Sequence, residues 1–332
     1  MEAPTILTNH TGHDRSETWK KTSFLPEFKQ FSSVKVIDSF CRAFHLFQLR
    51  KDYEVVVLGG GAQYDLFYLL LQRLWPIAAR PVVKVDCLWY RSNPLLHFYK
   101  KALFKWLDKS VARYVVWCRR EIEDYSKAFG LPRHKFTFIP YHTTNVERFE
   151  IKNNGYVFSG GNFARDYQTL VDAVRGLDLK LIIACTNKQA VEHIDMPDNV
   201  SVVSAGHREF MKLMAESGIN VIALDSSLLH SGGQQTFLNA MAMGKTVIVN
   251  DPDGGKDYIE DGVDGILVPG HDPQRLRDAL MVLINDPEYS SCIGARARKK
   301  AQKMDTESHL AAIAEVALSV PAPGKKSLAQ AI

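Results

Sequence analysis

Apolar and polar positions along the chain follow two alternating rhythms. Short β-branched runs recur at 5–7 (TIL), 54–58 (EVVVL), 81–86 (PVVKVD), 113–117 (RYVVW) and 135–139 (KFTFI). Between them lie amphipathic stretches of helical spacing, around 34–50, 63–74, 93–110 and 119–129. The second half repeats the rhythm, with YVFSG, LKLIIAC, VSVV, NVIAL, KTVIV and GILV as its strands. Strands this apolar, separated by helices, predict parallel sheets covered on both faces. The polar stretch 141–155 (YHTTNVERFEIKNNG) divides the two series and reads as a linker. The pattern therefore predicts an α/β protein of two doubly wound domains.

Composition agrees with that reading. A length of 332 residues fits about two domains, and 46% hydrophobic with 23% charged residues fits a folded globular chain. The formal charge of +4 gives no support for a nucleic-acid partner. Five cysteines, Cys41, Cys87, Cys118, Cys185 and Cys292, are widely spaced without a CxxC pair. That pattern predicts free thiols in a reducing compartment, with neither a disulfide framework nor a zinc site. The opening residues contain no apolar signal core, and no window reaches about 18 apolar residues. A cytoplasmic location is expected, with contact at a membrane surface left open.

In open parallel sheets ligands bind beyond the carboxyl ends of the strands. Three such places stand out in the second half. In YVFSGGNFARDYQTLVDAV (156–174) a strand ends at Gly160-Gly161, followed by Asn162 and Arg165, and a helix begins near Asp166. Glycines there let a ligand approach the backbone, and an arginine fork suits phosphate. A glycine turn beside a solvated arginine is the alternative. In HSGGQQTFLNAMAMGKTVIV (230–249), Ser231 is a candidate N-cap, and Gly232 and Gly233 leave amides uncovered. Gln234, Gln235 and Thr236 add neutral donors and acceptors. Exposed N–H groups at the positive end of a helix favour an anion such as a diphosphate, although an ordinary N-cap would look the same. Gly244 then ends the helix. In VSVVSAGHREFMKLMAES (200–217), Gly206 and His207 follow a strand and start a helix.

Taken in order, these three loops resemble the C-terminal half of a GT-B glycosyltransferase, specifically the retaining glycosyltransferase family 4. The segment LNAMAMGKTVIVNDPDGGKDYIEDGVDGILVPGHDPQRLRDAL (238–280) carries most of the likeness, which spans roughly 155–305. The resemblance implies two Rossmann-like domains facing each other across a cleft, with acceptor binding in 1–148 and nucleotide-sugar binding in 149–305. It also implies a helix around 306–318 that crosses back onto the first domain, and a flexible tail at 319–332. The donor would rest on Gly160, Gly161, Asn162, Arg165, Thr186, Gly206, His207 and the stretch Ser231, Gly232, Gly233, Gln234, Gln235, Thr236, with Asn239. Arg165 matches the family's second cation, which steadies the departing diphosphate. The arginine expected beside Gly160 is replaced by Gly161. The family's two glutamates, eight positions apart, correspond to Ser231 and Asn239, which carry no charge.

The implied reaction moves a sugar from a nucleotide diphosphate sugar to an acceptor hydroxyl with retention, without a metal or other cofactor. The acceptor would be a glycan, a polysaccharide precursor or a lipid-linked molecule. A catalytically degenerate GT-B scaffold and a GT-B sugar-nucleotide epimerase are the alternatives. Asp251-Pro252-Asp253 imitates a metal-binding DxD but sits in a proline–glycine turn. In the first half, Asn9, His10, Gly60, Gly61 and Gln63 lie at strand ends and should face the cleft. Asp86 does too, as a candidate to orient or deprotonate the acceptor; capping the next turn is an equal alternative. Finally, 92–113 places Leu95, Phe98, Tyr99, Leu103, Trp106 and Leu107 on one broad face, with five cations and only Asp108 as an acid. It reads as a helix covering the sheet or as a contact with an anionic membrane.

Overall fold

The computed structural model describes residues 4–28, 30–90, 92–144, 149–225 and 228–321. The chain forms two compact units, one of 1–139 with 306–332, the other of 140–305.

Unit 1 contains β1 (Ile6–Thr8), α1 (Glu17–Thr22), β2 (Ser23–Phe24), α2 (Lys35–Leu49), β3 (Val55–Leu58) and α3 (Ala62–Leu74). It continues with β4 (Val82–Lys84), α4 (Pro94–Leu107), β5 (Val111–Val116), α5 (Arg119–Phe129) and β6 (Phe136–Phe138). Its parallel sheet runs β2-β1-β3-β4-β5-β6. All four residues of β3 are buried, as expected of a strand covered on both faces.

Unit 2 contains β7 (Val157–Gly160), α6 (Tyr167–Val174), β8 (Leu181–Ala184), β9 (Val200–Val203), α7 (His207–Glu216) and β10 (Ile219–Ile222). It ends with α8 (Gln234–Ala242), β11 (Thr246–Val249), α9 (Pro252–Gly255), β12 (Ile266–Leu267), α10 (Pro273–Asn285) and α11 (Pro287–Ala301). Its sheet is parallel in the order β12-β11-β10-β7-β8-β9. Counted within the unit this is 6-5-4-1-2-3, the doubly wound dinucleotide-type order, with its reversal between β7 and β10.

Helix α12 (Thr306–Ser319) belongs to unit 1, where Leu310, Ile313, Ala314 and Ala317 join Val55, Val57, Val83 and Val115 in one core. At its start the Glu307 carboxylate accepts from the Glu17 amide at 2.8 Å and the Thr18 amide at 3.2 Å, capping α1 from 290 positions away. Those bonds, that of the Thr18 hydroxyl first, hold the Glu307 carboxyl below its ordinary value.

Two expectations change. The division between units falls at 139/140 and not at 148/149. The Tyr141 amide donates to the Tyr258 hydroxyl at 2.9 Å, and the Thr143 amide to the Met304 carbonyl at 2.8 Å, tying this segment into unit 2. Lys152 and Asn154 likewise donate to the Ala215 and Glu216 carbonyls, so the described parts of 141–155 are not a free linker. Residues 145–148, and 322–332 of the expected tail, lie outside the described residues. Strand β2 and helix α1 carry no apolar run long enough to announce themselves.

Candidate active site

Sheet order explains where the unit 2 candidates meet. At the reversal between β7 and β10 an open parallel sheet offers its ligand position, and here the loops after the two strands are joined, the Asp166 amide donating to the Ala223 carbonyl and the Asp225 amide to the Ala164 carbonyl, each at 3.1 Å. Arg165, after β7, forms a backbone bridge with Leu224, after β10. Asp166 follows Arg165 as the N-cap of α6, accepting from the Thr169 amide at 3.1 Å.

The Arg165 guanidinium ties β7 and the loop after it to α8. Its Nε donates to the Gly160 carbonyl at 3.0 Å, one terminal nitrogen to the Phe163 carbonyl at 2.9 Å, and the other to the Thr236 hydroxyl at 3.3 Å. Burial pulls it below its ordinary value, which still leaves an arginine charged at neutral pH. Gly161 is required beneath it. Its φ is +128°, and a β-carbon there would run into the guanidinium. The fork is thus fixed to β7 and α8 before any ligand arrives.

Helix α8 begins one turn from that cation. Its N-cap is Gly233 and not Ser231, a correction to the sequence reading. Gly233 adopts φ +83°, and a β-carbon would lie 2.9 Å from Ile222 Cγ2, so both conformation and space demand glycine. Among the described residues no side chain caps the helix, and since the Thr236 amide bonds the Gly233 carbonyl at 2.9 Å, the Gln234 and Gln235 amides and the positive helix end are what remain for an anion. Gly232 keeps the approach low, its nearest neighbour for an added β-carbon being Ala164 at 3.8 Å.

Several other candidates turn inward instead. The buried Ser231 hydroxyl donates to Asp251 Oδ2 at 3.1 Å. Gln234 is buried and bonds the Ser231 carbonyl at 2.9 Å. Asn239 is 3% exposed, accepting from the Thr144 amide at 2.8 Å and donating to the Thr144 hydroxyl at 3.0 Å. Gln235 reaches the same hydroxyl at 2.8 Å. Asn162 Oδ1 accepts from the Thr186 amide at 2.7 Å and the Asn187 amide at 3.2 Å, stapling the β7 loop to the β8 loop. Gly206 is the N-cap of α7, and with His207 it lines a separate depression of about 830 Å³ beside Arg208 and Glu209. None of the Arg165 loop lines that depression. Asp251 and Asp253 also diverge: Asp251 serves Ser231 and the Gly254 amide, while Asp253 pairs with Lys256 at 2.8 Å.

In unit 1 the order reverses between β1 and β3; Asn9, His10, Gly60, Gly61 and Gln63 follow those two strands, and Asp86 follows β4. Asn9 is buried and acts as a clamp: Oδ1 accepts from the Gly59 and Gly60 amides at 2.8 and 3.1 Å, and Nδ2 donates to Asp65 at 2.6 Å. Its side chain is consumed in shaping the turn. A β-carbon at Gly60 would collide with Asn9, and Gly61, at φ +135°, is the N-cap of α3. His10 packs its ring on Trp19 at 5.9 Å, while Gln63 is exposed. Asp86 adopts the left-handed region at φ +56°, unusual for a non-glycine residue and concentrated at functional sites. It lines a cavity of about 520 Å³ together with Gly60 and Gly61.

Sequence reasoning missed the ion pair beneath that cavity. Asp65 and Lys84, 1% and 7% exposed, lie 2.9 Å apart. Burial works against the Lys84 ammonium, but Asp65 and its neighbours outweigh it and raise the value overall. A lysine inside an otherwise apolar strand, PVVKVD, was the available signal.

Residues 157–286 match the family model described as glycosyl transferases group 1. An uncharacterized glycosyltransferase of Methanocaldococcus jannaschii is 25% identical over 233 residues, which cover 62% of this chain and 58% of that protein. The solved structure of Anabaena HepE with UDP aligns with a TM-score of 0.71 at 14% identity, covering 96% of this chain and all of that one. The sucrose-phosphate synthase of Thermosynechococcus elongatus aligns at a TM-score of 0.65 and 14% identity, over 89% and 82% of the two chains. Unit 2 therefore contains the segment that matches the glycosyl transferases group 1 model, within a chain of GT-B fold.

Proposed function

We propose that this chain transfers a sugar from a nucleotide diphosphate sugar to an acceptor hydroxyl. The observation that carries the reading is the Arg165 guanidinium, fixed to Gly160 and Thr236 beside the uncapped start of α8. In the reaction the bond from the anomeric carbon to the diphosphate oxygen breaks, and the acceptor oxygen bonds that carbon. The diphosphate leaves with the electron pair, and its charge falls to Arg165 and the α8 amides. These groups supply the neutralisation that a metal gives elsewhere, which supports a metal-independent reaction. Asp86 is assigned to orient the acceptor hydroxyl or take its proton. Retention of configuration rests on the likeness to family 4.

HepE has been solved with UDP and with UDP-glucose, which makes UDP-sugars the first donors to test. Thermal shift and turnover against UDP-, GDP- and ADP-sugars test the reading. Saturable binding with sugar transfer supports it, and binding without transfer or hydrolysis refutes it. The latter result would favour a catalytically degenerate binding protein. That second reading has its own observation, since Ser231 and Asn239 spend their side chains on Asp251 and Thr144.

A peripheral contact with an anionic membrane on the cytoplasmic side is proposed for α4. Leu95, Leu96, Phe98 and Tyr99 are between 55% and 68% exposed, so its first half does not simply cover the sheet. Among the described residues no helix is long and apolar enough to cross a membrane. Flotation with anionic liposomes that survives charge reversal at Lys101 and Lys105 would remove this assignment.

A further inference from the structure

The cavity of about 520 Å³ in unit 1 has two unlike sides, and its size is that of a small-molecule pocket. Beyond the ends of β3 and β4 it is polar, floored by the Gly59–Gly61 turn, the Asp65–Lys84 pair and Asp86. Between α3 and α4 it is apolar, lined by Leu66, Leu69, Leu103 and Phe104, with Leu88 from the segment after β4. The leucines of that second wall offer no partner to a glycan's hydroxyls. An alkyl chain suits them, because apolar contact is its main source of binding free energy.

One cation in the lining is unlike the other. Lys84 is neutralised by Asp65. Lys100 is half-buried, donates to the Tyr90 carbonyl at 2.9 Å and lies 5.7 and 5.4 Å from the Phe104 and Phe129 rings. Among the described residues no carboxylate lies within ion-pair distance of it. Burial accordingly pulls its ammonium below the ordinary value. A half-buried ammonium with one carbonyl acceptor keeps further donors for an anion, and charge-assisted bonds are the strong ones.

We propose that this cavity binds a lipid phosphate, with an acyl or prenyl chain against Leu66, Leu69 and Leu103 and the phosphate at Lys100. In the glycosyl-transfer reading that ligand is the acceptor's lipid portion, and its role as acceptor rests on that reading. The phosphate then sits on the α4 side while the polar floor near Asp86 faces the group to be glycosylated.

Titration calorimetry on the full chain tests this with monomeric dodecyl phosphate, inorganic phosphate and dodecyl maltoside as probes. Dodecyl phosphate should bind once per chain, at least tenfold more tightly than either other probe. Lys100→Gln and Leu103→Gln should each weaken it about tenfold, as expected for losing a charge-assisted bond or a buried chain contact, without changing UDP-glucose affinity. Equal binding of dodecyl maltoside, or undiminished dodecyl phosphate binding in both variants, overturns the proposal. Binding to anionic vesicles with none to monomeric dodecyl phosphate overturns it as well, in favour of a surface contact. Expected dodecyl phosphate binding in a chain that binds no nucleotide sugar sustains the cavity assignment and defeats the glycosyl-transfer reading instead.

Discussion

Asn239 and Thr144 share two hydrogen bonds, one in each direction, so a buried amide on α8 fixes the backbone of the segment entering unit 2. Asn239 therefore has a structural duty in this chain. Asn239→Ala should remove both bonds and leave the Thr144 amide without its acceptor, a loss of about 1–3 kcal/mol. Urea unfolding followed by circular dichroism measures it, and an unchanged midpoint would deny the clamp.

Gly161 and Arg165 form a pair in which the first makes room for the second. Arg165→Ala should lower turnover on the order of 10²–10³-fold if the guanidinium stabilises the leaving diphosphate. Arg165→Lys keeps the charge but cannot reach Gly160 and Thr236 together, so it should recover only part of the loss. Gly161→Ala should produce a similar defect with the arginine intact, by displacing it. Steady-state kinetics on the three variants decide the matter, and near-normal turnover in Arg165→Ala would refute the role.

Asp65 serves two partners, Asn9 and Lys84. Asp65→Leu would strand a buried ammonium, a change that typically costs about 3–5 kcal/mol. It would also release the Asn9 amide that positions the Gly59-Gly60 turn. A thermal melt of this variant should therefore show one of the largest drops among single substitutions in unit 1, and a drop of a degree or less would contradict the pairing.

Much of this fold was legible because parallel strands buried on both faces must be apolar at nearly every position. EVVVL, LKLIIAC and KTVIV contain β3, β8 and β11 almost residue for residue. The candidate site was less legible, for physical reasons. Ser231 resembles an N-cap by type and spacing, yet the left-handed backbone at Gly233 starts the helix two residues later and sends Ser231 toward Asp251. Asn9 follows a strand as a ligand residue would, but its amide is spent on neighbouring backbone. Such partners lie 20 to 95 positions away, as with Ser231 and Asp251 or Thr144 and Asn239, beyond what local pattern can report. Arg165 is the exception, since its contact to Gly160 is local and only Thr236 is remote.

Lys245 gives the chain a pH signature. It is 5% exposed, and among the described residues its ammonium reaches the Lys152 and Ser217 carbonyls alone. Burial pushes it down to about 8 from the ordinary 10.5. Below pH 8 the group is charged in both folded and unfolded chains, and the penalty of burying that charge is fully present. Between pH 8 and 10.5 the folded chain releases its proton first, so the penalty fades and stability rises. Relative to Lys245→Met, the unfolding free energy should climb by about 1.4 kcal/mol per pH unit across that window. Parallel urea titrations at pH 7.5 and 9.5 measure the difference, and a flat or falling one would show that Lys245 is not perturbed.

Helix α12 sets the order in which the chain can be completed as it leaves the ribosome. Unit 2 is one uninterrupted segment, 140–305, and all of its core residues are available once that segment has emerged. Unit 1 is not: Leu310, Ile313, Ala314 and Ala317 arrive last, although Val55 and Val57, against which they cluster, are among the earlier residues synthesised. During translation the first-made half must therefore wait with an open apolar face while the second-made unit closes. A stop codon before residue 306 would spare Arg165 and every partner of its guanidinium and still yield a chain whose first unit cannot close its core.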